Sequence, residues 1–136
     1  MRITTKGRYA LRAITQLAKS YSGNPISIKE LSNLEGISPE FLEQIFFKLR
    51  KAGIITSTRG PGGGFSLERS PKDITLNEIF NAVGEGVELT PCANEEPCDR
   101  SDGCLTHDIW NDATAHFQAY FSSITVDDVL HKRKAV

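Results

Sequence analysis

The sequence predicts a mainly α fold with a small β-hairpin: a winged helix-turn-helix followed by a long C-terminal dimerisation helix. Three observations carry that reading. Residues 27–51 hold two capped helical segments separated by Gly36. Two short β-prone runs flank a glycine-rich stretch, Arg59-Gly60-Pro61-Gly62-Gly63-Gly64. Further on, Leu105, Ile109, Ala113, Phe117 and Phe121 recur every four residues.

The first helix is predicted from about Thr5 or Arg8 to Tyr21. Ala10, Ile14, Leu17, Ala18 and Tyr21 recur at helical spacing, with Arg12 and Lys19 facing out. Ser22-Gly23-Asn24-Pro25 ends it with turn chemistry. Ser27 and Glu30 read as a capping box that opens a short helix with Ile28, Leu31 and Leu34 apolar. Gly36 supplies the left-handed residue that stops it. Ser38 as N-cap and Pro39 at the first helical position open the next helix, which runs to about Lys51 and stops at Gly53. Its inner face is Leu42, Ile45, Phe46 and Leu49; its outer face is Glu40, Glu43, Gln44, Phe47, Lys48 and Lys51. Ile54-Ile55-Thr56-Ser57 and Phe65-Ser66-Leu67 read as the two strands of the wing. Thr75 and Glu78 form a second capping box, opening a helix with Leu76, Ile79, Phe80 and Val83 inside and Gly84 at its end. Residues 84–103 are a loop rich in Gly, Pro, acids and Cys, and loops of that length without their own secondary structure are usually functional or disordered. The long helix from about Leu105 to Phe121, with Trp110 and Tyr120 alongside, has little of its own chain left to bury against and reads as a dimer helix. Thr125 caps a last short helix, and His131-Lys132-Arg133-Lys134 is a basic tail. No internal repeat is visible.

With 136 residues, 39% hydrophobic and 24% charged, the composition is that of an ordinary soluble globular chain. No apolar run is long enough for a transmembrane helix, and none near Met1 reads as a signal peptide, so a cytoplasmic location is expected. The formal charge of −1 hides a split. Residues 1–72 carry twelve Lys or Arg against five Asp or Glu, a net +7; residues 73–136 carry four against twelve, a net −8. A basic part joined to an acidic part predicts a polyanion-binding unit, residues 1–72, and a second unit with another task, residues 73–136.

The second helix of a helix-turn-helix lies in the major groove with its N-terminal residues toward base edges. Here those residues include Glu40, Phe41, Glu43 and Gln44. Glu accepts from the cytosine amino group and Gln pairs with adenine. Carboxylates near phosphates are repelled, so Glu40 and Glu43 act as filters against wrong bases, or serve only to complement the helix dipole. Arg59, placed before Gly60 at the tip of the wing, suits a narrow, negatively charged minor groove. A phosphate-binding P-loop is excluded because no Lys-Ser or Lys-Thr follows the glycines. Arg2, Lys6, Arg8, Lys48, Arg50 and Lys51 are candidates for phosphate contact.

Three cysteines in a chain without export signals point to metal or redox chemistry rather than disulfides. Cys92, Cys98, Cys104 and His107 are spaced C-x5-C-x5-C-x2-H. Such a set closes a four-coordinate zinc site or holds an iron–sulfur cluster; the gaps are wider than those common between paired zinc ligands. Cys104 and His107, three apart, are expected on one face of the first turn of the long helix. A thiol enzyme would need a group to orient the base, and none is evident.

Several stretches carry a resemblance: Met1-Arg2, Lys6-Gly7-Arg8-Tyr9-Ala10, Leu42-Glu43-Gln44, Leu49-Arg50-Lys51, the glycine wing from Arg59, and the three cysteines with Cys104-Leu105-Thr106-His107. Over almost its whole length the chain resembles the IscR family of iron–sulfur cluster regulators, dimeric winged-helix bacterial transcription factors. The resemblance implies one 2Fe–2S cluster per chain on Cys92, Cys98, Cys104 and His107, base reading by the helix with Glu43 and Gln44, and Arg59 in the minor groove. It also implies a double-stranded DNA operator, a homodimer, iron–sulfur scaffold proteins as cluster donors, and control of iron–sulfur assembly genes. The nitric-oxide sensors of the NsrR group share the cysteine spacing but use a 4Fe–4S cluster and an Asp where this chain has Arg8. A zinc-bound or metal-free repressor of the same fold is the other alternative. Glu40 departs from the small polar residue usual in the family, which touches operator preference. Ala93-Asn94-Glu95-Glu96-Pro97 is also more acidic than the family pattern.

Overall fold

Hydroxyl side chains start most of the helices. In the computed structural model, which describes residues 3–86, 89–90, 92, 98–100 and 102–132, the order is α1 (Thr5–Lys19), α2 (Ile28–Glu35), α3 (Pro39–Lys51), β1 (Ile55–Thr58), β2 (Gly64–Leu67), a 3-10 turn (Pro71–Asp73), α4 (Leu76–Ala82), α5 (His107–Ser123) and α6 (Val126–Leu130). Arg2, residues 93–97, Arg133 and Lys134 lie outside the described residues. The Glu30 N–H donates to Ser27 Oγ at 3.1 Å and the Phe41 N–H to Ser38 Oγ at 3.2 Å. Thr75 with Glu78, and Thr125 with Asp128, form complete capping boxes. At Ser27 only half of the expected box is realised: the hydroxyl accepts, but no return bond from Glu30 is seen among the described residues.

The mainly helical fold with one two-stranded hairpin matches the expectation, with two local differences. At the end of α1 the backbone tightens, Ser20 N–H donating to Leu17 O and Tyr21 N–H to Ala18 O. This takes Tyr21 off the buried stripe, and it is 44% exposed. Leu34, one of the apolar residues of α2, is also exposed.

Gly36, with φ 67°, makes the turn between α2 and α3. The predicted inner face of α3 is buried: Leu42, Ile45, Phe46 and Leu49 all belong to the core. Phe46 meets Phe65 of the wing edge-on, ring centroids 4.9 Å apart. The hairpin pairs Ile55 with Leu67 and Thr58 with Gly64. Ile26 adds a short third edge, exchanging bonds of 3.0 and 2.8 Å with Phe65. The C-terminal segment returns to the same body. Leu76 N–H donates to Ile124 O at 3.0 Å and Val126 N–H to Ile74 O at 2.9 Å. One hydrophobic cluster therefore runs from Ala10 and Ile14 through α3 to Ile79, Val83, Ile124 and Val126, so the basic and acidic parts share a core.

Helix α5 is different. Of its residues only Thr114 is buried. Phe121 anchors it edge-on against Phe80 at 5.1 Å, while Ile109, Trp110, Phe117 and Tyr120 are exposed.

Candidate DNA interface and cysteine loop

The outer face of α3 carries Glu40, Glu43, Gln44, Phe47, Lys48 and Lys51, all exposed, as the periodicity predicts. Ser38 and Pro39 fix where the helix starts, and that sets which residues form its leading turns. Between this face and the start of α1 lies an open groove of about 810 Å³, lined among others by Thr4, Lys6, Glu43, Gln44, Phe47 and Lys48. The Tyr9 ring packs edge-on against Phe41 at 5.6 Å and locks α1 against α3.

Arg59 and Gly60 are exposed at the tip of the wing. The glycine run forms an ordered turn. Gly63 N–H donates to Gly60 O at 2.9 Å, and Arg50, whose Nη1 donates to Ser57 Oγ at 3.3 Å, ties α3 to the wing.

The charge on this side is available to a polyanion. Among the described residues the ion pairs are Arg12–Glu35 at 3.0 Å, Arg69–Glu78 at 3.2 Å and His131–Asp127 at 3.3 Å. None engages Lys6, Arg8, Lys48, Arg50, Lys51 or Arg59; Arg8 Nη2 donates to the Thr5 hydroxyl at 3.4 Å. Unpaired cations on one face raise affinity for a charged backbone and make it salt-dependent.

Sequence reasoning missed Glu85. Thr4 offers no side-chain cap to α1. Glu85 supplies it from across the fold: its Oε2 accepts from Thr4 N–H at 3.1 Å and from Gly7 N–H at 2.8 Å. A buried carboxylate at a helix N-terminus satisfies orphan donors and complements the dipole. It also joins the start of the cysteine-bearing segment to the helix that carries Lys6 and Arg8. No local pattern announces a cap whose two halves are 78 residues apart.

In that segment Cys92 and Cys98 are half-buried and Cys104 is exposed, all three as free thiols. Cys104 Sγ lies 3.3 Å from Thr106 Oγ1. The Thr106 hydroxyl, the backbone at Thr106 and at His107 hold this thiol below its usual range, outweighing a small opposing effect of burial. A thiol biased toward thiolate is the form that binds metal. His107 is the first residue of α5, and Asn111 Nδ2 lies 3.1 Å from its Nε2. Cys104 precedes the N-cap residue Thr106, so Cys104 and His107 do not share a helical face as expected. Among the described residues no three metal-ligating side chains converge. The donor set suits iron–sulfur or zinc chemistry, and sites of this type gain part of their order from the metal itself. Leu89 N–H donates to Thr114 Oγ1 at 3.4 Å, fastening the segment to α5.

A helix-turn-helix with a glycine wing, cations that join no ion pair among the described residues and a distal segment bearing three thiols defines a winged-helix, DNA-binding transcriptional regulator. The comparisons with known proteins make the class specific. Residues 3–132 match the Rrf2 family, described as iron-dependent transcriptional regulators, and the chain belongs to that family. It is 38% identical over 136 residues to the transcriptional regulator IscR of Pectobacterium carotovorum, covering 100% of this chain and 83% of the relative. Its identity to IscR of Escherichia coli is 36%, with 100% and 84% covered. Among solved structures it is similar to T. potens IscR, with TM-score 0.78 and 30% identity over 97% of this chain and 88% of that one. It is also similar to CymR, the global cysteine regulator of B. subtilis, with TM-score 0.83, 28% identity and coverage of 98% and 99%. These relatives are regulators rather than enzymes, and this chain is a transcriptional regulator of the IscR type. Among the described residues no helix is long and apolar enough to cross a membrane.

Proposed function

We propose that this chain is a cytoplasmic homodimeric regulator that reports iron–sulfur supply to the genes of cluster assembly. In this reading residues 1–72 grip a double-stranded operator. Glu40, Glu43 and Gln44 face base edges, Arg59 with Gly60 enters the minor groove, and Lys6, Arg8, Lys48, Arg50 and Lys51 meet phosphates. Residues 73–136 sense. Cys92, Cys98, Cys104 and His107 hold one 2Fe–2S cluster, delivered by scaffold proteins, and the exposed apolar face of α5 meets its copy in the partner.

The donor chemistry carries this reading: three free thiols and the imidazole at the head of α5, in a chain of the iron-dependent family. A cluster bound here supplies a covalent tie across residues 92–107, and its gain or loss is the signal. One imidazole among three thiolates makes a less persistent ligand set than four thiolates, which suits a sensor. Glu85 and Thr114 are the chain's own transmission points: Glu85 holds the start of α1, and Thr114 holds Leu89 on α5.

The test is reconstitution without oxygen. Visible absorbance is expected, with iron and acid-labile sulfide in equal amounts, about two of each per chain. His107→Ala should shorten the lifetime of that absorbance in air. Stoichiometric zinc without labile sulfide would overturn the cluster assignment and leave a zinc-bound regulator; four irons per chain would favour the nitric-oxide-sensing alternative. Holo and apo forms with equal affinity for every duplex would overturn the sensing role.

A further inference from the structure

The chain has seven phenylalanines. Six have ring partners: Phe41 meets Tyr9, Phe46 meets Phe65, Phe80 meets Phe121, and Phe117 also meets Phe121. Phe47 makes no ring contact among the described residues and is 64% exposed. Its position is specific. It follows Glu43 by four residues and Gln44 by three, so all three lie on one stripe of α3. It lines the same groove as Lys6, Gln44 and Lys48.

We infer that Phe47 is a specificity-determining residue that contacts the C5-methyl group of a thymine in the operator. This deepens the reading in which α3 enters the major groove. In that groove the thymine methyl is the apolar feature of the base edges, and an aromatic side chain is among the groups that read it. Lys6 and Lys48, cations lining the groove, favour an anionic partner over a second protein surface, while the carboxylates of Glu40 and Glu43 keep phosphates from its centre. Gln44 and Phe47 are separated by about 4.5 Å along the helix axis. Base pairs stack at roughly 3.4 Å, so the ring reaches one or two base pairs beyond the position that Gln44 reads. Folding gains little from a phenyl ring in water on a face of Glu, Gln and Lys, whereas the ring gains on transfer to a methyl group.

The experiment uses the full-length protein and a duplex that it selects from a randomised pool. Each thymine is replaced in turn by uracil, which removes only the C5-methyl group. Wild type is expected to lose about fourfold in affinity at one position per half-site, the worth of one buried methyl. Phe47→Ala is expected to bind the thymine and uracil duplexes alike. Because the ring is exposed, the variant should keep the wild-type circular dichroism and melting temperature. No uracil-sensitive position for wild type would overturn the inference. So would a thymine preference kept by Phe47→Ala, or an equal loss by that variant on every sequence, which would mark a sugar or protein contact. Gln44→Ala separates the two levels: if it loses base preference while Phe47→Ala does not, only the role of Phe47 fails. If neither alters preference, or wild type selects no duplex, the placement of α3 itself fails.

Discussion

A Cβ on Gly7 would lie 2.3 Å from Glu85 Oε2 and 2.8 Å from Ile3 Cγ2. The Glu85 carboxylate could swing away, but only by releasing the N–H groups of Thr4 and Gly7, in a site where Glu85 is buried. Bonds to a charged acceptor are worth about 1.5–3 kcal/mol each. Gly7→Ala is therefore expected to cost about 2–4 kcal/mol and to lower Tm by roughly 5–15 °C at fixed protein concentration, read by thermal circular dichroism. An unchanged Tm would mean that the Glu85 cap contributes nothing. Arg59 sits at the opposite extreme, exposed and outside every ion pair among the described residues. Its substitution should leave stability alone. Arg59→Ala is expected to weaken binding by about tenfold to duplexes with an A/T-rich minor groove and less to G/C-rich ones, measured by fluorescence anisotropy. A uniform loss would reassign Arg59 to a phosphate contact.

Gly64 decides whether the wing is an ordered element. It has φ 154°, and a Cβ there would stand 2.4 Å from the backbone carbonyl of Ile26. The close approach lets Ile26 and Phe65 exchange their two backbone bonds. Gly64→Ala should break that bridge, cost about 2–3 kcal/mol and weaken DNA binding, with amide exchange at Ile26 and Phe65 rising; unchanged exchange would contradict the argument. How legible such elements are in sequence follows from how local their causes are. Ser38, Pro39 and the stripe Leu42, Ile45, Phe46 and Leu49 lie within twelve residues and announce α3 directly. Thr75 with Glu78, and Thr125, announce α4 and α6 in the same way. The tightened end of α1, which takes Tyr21 out of the core, depends on two backbone bonds that no side-chain pattern encodes. The Glu85 cap and the Ile26–Phe65 bridge pair residues far apart in the chain, so no local pattern announces either. The candidate ligands were legible as a spacing, but their arrangement was not: Cys104 falls before the N-cap, a boundary that depends on the backbone turn at Thr106.

At the scale of the whole molecule, α1, α3, α4 and α6 share one core, while α5 meets it through Phe121 and buries only Thr114. Ile109, Trp110, Phe117 and Tyr120 are 59%, 38%, 39% and 53% exposed, a run of large apolar side chains along one helix. Monomers seldom leave such a surface uncovered, and a helix contributing the same face twice gives a closed two-fold contact. Two-fold symmetry would also set the distance between the two α3 helices and hence the half-site spacing of the operator. Trp110→Glu combined with Phe117→Glu tests this. Central aromatics at interfaces are worth about 2 kcal/mol or more each, so the pair should weaken dimerisation by about a thousandfold in sedimentation equilibrium. Because both side chains are already part-exposed in the single chain, the helical circular dichroism should persist. Affinity for a single half-site should be retained and the extra affinity for a two-half-site duplex lost. A double variant that sediments as a wild-type dimer would place the interface elsewhere, and α5 would then need another partner for its apolar face.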